Sequence, residues 1–154
     1  MDMPKPTVHH RNLTAFIGSW QGEEKIHPSA FDPQGGPAIG RLTARLELEG
    51  FFVVADYAQE RAGKTNYRGH AVFGYDAMRE RYTMYWFDTI GTDPGGPALA
   101  RPESDNVFVF DMTSPMGHHR YTYRFEGDVY EMHIENSPDG KEWTTFLEGT
   151  YRRT

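Results

Sequence analysis

The chain has no cysteine. That single absence removes disulfides, thiolate nucleophiles, thiolate metal sites and thiol redox switching together. It also lacks any apolar run near the ~18 residues a membrane-spanning helix needs, and Met1 to His10 has no apolar signal-like stretch. The expectation is a cytoplasmic protein with no membrane partner. Basic residues are the minority, 16 against 22 acidic, and are nowhere clustered. The resulting net charge of -6 offers no basic footprint for phosphates, which excludes nucleic acid as a main partner. There is no Gly-x-Ser-x-Gly elbow, phosphate loop, nucleotide fingerprint or His-Glu-x-x-His helix. With no recognised catalytic motif, enzymatic activity stays open. Any catalysis would fall to His, carboxylate, Tyr or Ser/Thr side chains. His118 and His119 are adjacent, so on a strand they project to opposite faces and are poorly placed to share a metal; no metal site is expected.

Large side chains and punctuated strands are what the chain does contain. Aromatics make up 14% of its 154 residues, which fit one domain over 1–154, with 1–8 read as a flexible arm. His9 to Ile17 places Leu13, Phe16 and Ile17 at helical spacing and predicts a short helix closing one end of a barrel. From Gly18 onward the pattern is strands: 20–27, 39–48, 51–60, 65–75, 81–88, 106–112, 117–126, 128–136 and 142–152. A long loop over 92–104, rich in Gly and Pro, leaves room for at most one more short strand. About nine or ten strands with mostly hairpin links predict an all-β protein, a closed up-and-down antiparallel barrel.

Turn chemistry assigns the faces. A tight turn at Gly127-Asp128 sets Arg124 opposite Glu131 and Arg120 opposite Glu135, with Tyr121, Tyr123 and Phe125 sharing the inner face with Tyr130, Met132 and Ile134. His119 then falls inside, and His118 and His133 outside. A two-residue turn at Ala62-Gly63 sets Glu60 opposite Thr65 and Tyr57 opposite Arg68. Extended to neighbouring strands, this groups Leu42, Leu46, Val53, Tyr57, His70 and Tyr85 on one face. Arg45, Asp56, Phe73, Met84, Trp86 and Asp88 fall on the other. The second face is either a polar-lined cavity or an outer surface partly covered by a second subunit. Apolar groups on both faces favour a homodimer in either case.

The pieces Gly18-Ser19-Trp20-Gln21-Gly22, Phe31-Asp32-Pro33, Glu49 to Tyr57, Gly69 to Asp76 and Tyr82 to Asp88 span about half the chain. In these the chain resembles the calycin superfamily of lipocalin and fatty-acid-binding-protein-like barrels, and within it an uncharacterised bacterial family. The resemblance implies a small-molecule container. It also implies that Trp20 closes one barrel end against a late-strand arginine, Arg152 or Arg153. A related branch binds haem through a late-strand histidine, here His133 by position. No cofactor is otherwise expected.

The leading expectation is therefore a barrel that binds a small hydrophobic or amphipathic molecule. Trp20, Trp86 and Tyr57 would give apolar surface, and Arg45, Asp56 and Asp88 would fix a polar end. His70 and His119 are ligand-facing candidates and, with an Asp, the candidate groups for acid-base catalysis in the alternative of a cofactor-free enzyme. Haem binding, or a scaffold whose outer aromatic face takes another protein, are further alternatives.

Overall fold

A computed structural model describes all 154 residues. A short helix α1 (Val8–Asn12) runs into a 3-10 turn (Leu13–Phe16). Ten strands follow: β1 (Gly18–Ile26), β2 (Gly36–Glu47), β3 (Phe52–Arg61), β4 (Lys64–Asp76), β5 (Arg81–Asp88), β6 (Ala98–Ala100), β7 (Val107–Ser114), β8 (Gly117–Glu126), β9 (Val129–Ser137) and β10 (Thr144–Arg153). Each pairs antiparallel with its sequence neighbours, and β10 pairs with β1, so the sheet is a closed barrel with no free edge. β6 is the single short strand within the long loop. No helix is long and apolar enough to cross a membrane.

The helical segment closes one end because its apolar positions point inward. Phe16 is fully buried, stacked on Phe73 at 4.2 Å between ring centres and set edge-on to Phe125 at 4.7 Å. The Trp20 indole donates to the Phe16 carbonyl at 2.9 Å, and the Arg153 guanidinium lies over the Trp20 ring at 4.1 Å. Of the two arginines expected at this tryptophan, Arg153 is the one in place. Ahead of the helix, the Pro6 carbonyl accepts from the Arg11 side chain at 3.0 Å.

The Gly127 hairpin has the expected register, with Arg124 opposite Glu131 and Arg120 opposite Glu135. The Ala62-Gly63 hairpin does not keep its expected register. Both turn residues have positive φ, 51° and 77°, as a tight two-residue turn requires, and Glu60 does pair with Thr65. The next pair is Gln59 with Tyr67, however, so Asn66 is an extra residue, a β-bulge. Tyr57 consequently faces Gly69 instead of Arg68. One inserted residue exchanges the two faces of everything beyond it. Phe73, Met84, Trp86 and Asp88 point inward with Leu42, Val53 and Tyr57, while Arg45, Asp56, His70, Tyr85 and Phe87 point outward. The sequence-based grouping of these strands is corrected accordingly.

Candidate functional site

Aromatic side chains fill the helix-capped half of the barrel. The other half encloses a cavity of about 440 Å3, within the range typical of small-molecule sites. Its floor is Phe73, Met84 and Tyr123. Its walls include Tyr57, Tyr67, Trp86 and Tyr121, and its mouth lies between the β1–β2 loop and the segment after β5. Phe31 and Ile90 stand at that mouth, 64% and 71% exposed, from these two loops.

A polar ledge occupies one wall. Asp88 Oδ2 accepts from the Tyr67 hydroxyl at 2.7 Å and from the Trp86 indole at 3.2 Å, and the indole also reaches the Tyr67 oxygen at 2.7 Å. Asp88 Oδ1 accepts the Ile90 N–H at 3.0 Å, which anchors the mouth segment to the ledge. The alternation of β4 and β5 brings the three side chains together, and Gly69 makes room for them. A β-carbon at position 69 would overlap the Trp86 ring. Burial, followed by the Asp88 bond, pushes the Tyr67 phenol far above its usual value, so it stays protonated and donates.

Behind Tyr57 lies a group that sequence reasoning missed. Glu24 is buried, and its carboxylate accepts from the Tyr57 hydroxyl at 2.6 Å, from Gln59 Nε2 at 3.0 Å and from the Tyr151 hydroxyl. Burial and the Glu24 charge hold the Tyr57 and Tyr151 phenols far above their ordinary range. The available signal was parity, since Trp20, Glu24 and Ile26 share one face of β1 and Trp20 is unmistakably inward.

Of the residues expected at the ligand, Tyr57, Trp86 and Asp88 line the cavity. Trp20 is sealed in the closed end, away from the cavity wall. Arg45, Asp56 and His70 form an outer-surface chain instead: Arg45 Nη1 to Asp56 Oδ2 is 3.2 Å and His70 Nδ1 to Asp56 Oδ1 is 2.8 Å. The bulge at Asn66 is the physical reason. His70 first, and Arg45 after it, hold the Asp56 carboxyl below its usual range.

His119 sits on the rim. Its Nε2 lies 2.7 Å from Ser114 Oγ and its Nδ1 2.8 Å from Asn136 Oδ1, and Asn136 itself lines the cavity. A shallower groove of about 780 Å3 passes outside the wall beside His118 and His119. Only three of its thirteen lining residues are apolar, so an apolar ligand would bury little there. His133 points outward and its Nε2 lies 2.8 Å from Thr145 Oγ1. The haem alternative thus has no histidine facing the cavity at that position.

Known structures share this architecture at low identity. Rv2717c from M. tuberculosis superposes with a TM-score of 0.73 at 11% identity, over 98% of this chain and 99% of that one. The S-type phycobiliprotein lyase CPES from Guillardia theta gives 0.66 at 12%, over 97% and 93%. A Schistosoma mansoni fatty acid binding protein in complex with arachidonic acid gives 0.51 at 12%, over 93% and 98%. At these identities the likeness is one of fold: a calycin-like barrel. No curated protein matches the sequence. Residues 5–94, from the arm through β5, match the family described as a protein of unknown function, DUF1579, and the chain belongs to that family.

Proposed function

We propose that the protein binds a small hydrophobic or amphipathic molecule in the open half of its barrel. The observation that carries this reading is the largely apolar, aromatic-walled cavity with a polar ledge at Trp86, Tyr67 and Asp88. Such a site buries apolar area and offers few polar partners, so the ledge orients what the walls hold. The fold shared with a fatty acid binding protein supports it. Calorimetric titration with 1-naphthalenemethanol tests it. Saturable binding to the wild type, lost when Ile134→Trp fills the cavity, is the expected result. Unchanged binding to that variant would place the probe elsewhere.

One observation favours a second reading, a cofactor-free enzyme. Ser114, His119 and Asn136 have the connectivity of a nucleophile, a base and the group that orients the base. In this reading His119 Nε2 takes the Ser114 proton as Oγ attacks an ester carbonyl, then returns it to the leaving alcohol, and water releases the acyl group. Hydrolysis of p-nitrophenyl acetate that disappears in Ser114→Ala would support it; equal rates in both proteins would dismiss it. The homodimer is also a proposal, resting on exposed Tyr85 and Phe87 of the outer face, and sedimentation velocity reads it directly.

A further inference from the structure

The charges around the cavity narrow the ligand further, on the premise that the barrel is a container. Arg61 is the one cationic side chain on the wall, and it is already engaged: Nη1 bonds Asp32 and Nη2 bonds the Gly35 carbonyl. Those two charges cancel. What remains is the Asp88 carboxylate on the ledge and the Glu24 carboxylate just behind Tyr57. No Lys, Arg or His lies within ion-pair distance of either.

The two carboxylates differ in what they can still accept. Glu24 is closed off by its three buried donors. Asp88 has three donors on two oxygens, which leaves about one of a carboxylate's roughly four acceptor positions open. Around it stand Trp86, Tyr67 and, across the cavity, Tyr121, whose ring faces favour a cation over an anion. The Asp88 charge contributes to the raised Tyr67 and Tyr121 phenols, after burial. A negative field that disfavours phenolate disfavours a ligand carboxylate by the same physics.

We infer that the ligand is a cationic amphiphile, an apolar or aromatic body carrying a protonated amine that pairs with Asp88, and that the cavity discriminates against carboxylates. The fold shared with a protein holding arachidonic acid therefore does not extend to fatty acids as ligands here.

Three probes matched in shape test this at pH 7: 1-naphthylmethylamine, 1-naphthalenemethanol and 1-naphthoate, each titrated by calorimetry. The amine should bind tightest and the carboxylate weakest, with a ratio of about tenfold or more, since opposite charges a few ångströms apart at a partly buried site are worth at least that. Asp88→Asn should bring the amine to within about threefold of the alcohol, and urea unfolding of the variant followed by tryptophan fluorescence reports separately that it is folded. Tyr67→Phe gives an independent check. It frees an acceptor position on Asp88, so the preference for amine over alcohol should rise. A carboxylate that binds as well as the amine, or an unmoved preference in the variants, overturns the inference and leaves the container reading standing. Binding of none of the three overturns the container reading itself.

Discussion

Replacing Glu24 by glutamine keeps the shape of the buried side chain and changes one thing: an oxygen facing donors becomes an NH2 facing donors. In the wild type, two hydroxyls and one amide converge on the carboxylate, and Tyr57 reaches both of its oxygens, at 2.8 and 2.6 Å. Hydrogen bonds to a charged group are worth about 1.5–3 kcal/mol each, and a buried donor left without a partner costs about 1–3 kcal/mol. The amide retains one acceptor, so one or two bonds are lost, and the charge whose burial was costly is lost with them. The expected net is about 2–4 kcal/mol of destabilisation. In a chain of this length that corresponds to a melting temperature lower by roughly 4–16 °C. Urea unfolding followed by tryptophan fluorescence measures it, and a cycle with Tyr57→Phe should return a coupling of about 1.5–3 kcal/mol. A Glu24→Gln protein within about 0.5 kcal/mol of wild type, in the range of an ordinary surface change, would refute the reasoning.

Gly69→Ala should push the Trp86 indole off the ledge, because the added methyl occupies the space of the ring. We expect a folded protein with shifted tryptophan emission and naphthalenemethanol affinity reduced about tenfold or more; unchanged emission and affinity would contradict the packing. Arg153→Ala removes the cation over Trp20, the pairing with Asp128 at 2.9 Å and the bond to the Ile17 carbonyl. It should cost about 1–2 kcal/mol in urea unfolding, and an effect near zero would mean the closure is ornamental. Burial, with smaller contributions from His9 and Arg11, lowers the His10 pKa below 6.5. The unfolded chain then takes up this proton first as the pH falls, so stability declines from about pH 6.5 down through the folded pKa. His10→Gln should flatten that part of the urea-stability profile, and an identical slope in the variant would assign it to another group.

The barrel was legible because it is written in local signals. Turn formers separate the strands, the Arg124–Glu131 and Arg120–Glu135 pairs fix one hairpin, and Gly18-Ser19-Trp20 marks the first strand beside the end that the helical segment closes. The candidate site was half legible for one reason. Asn66 has no sequence mark that makes it a bulge, and without it the faces of β4 and β5 come out exchanged, joining Asp56, Arg45 and Trp86 on one side. Tyr57, Trp86 and Asp88 were recognised by type, but their grouping depended on that one residue. The register of the Gly127 hairpin already sets Asn136 opposite His119, whereas Ser114 reaches His119 from the far side of the β7–β8 turn, a contact that depends on how that turn is built. Glu24 escaped notice because a lone charge on a strand usually faces water.

The central claim is that the open half of this barrel holds a guest against Trp86, and the position of a heavy atom tests it most directly. In crystals soaked with 1-bromonaphthalene, the anomalous bromine peak should lie inside the cavity, between the Trp86–Tyr67 wall and Tyr121. A barrel interior with no bromine, filled instead by its own side chains, would contradict the account.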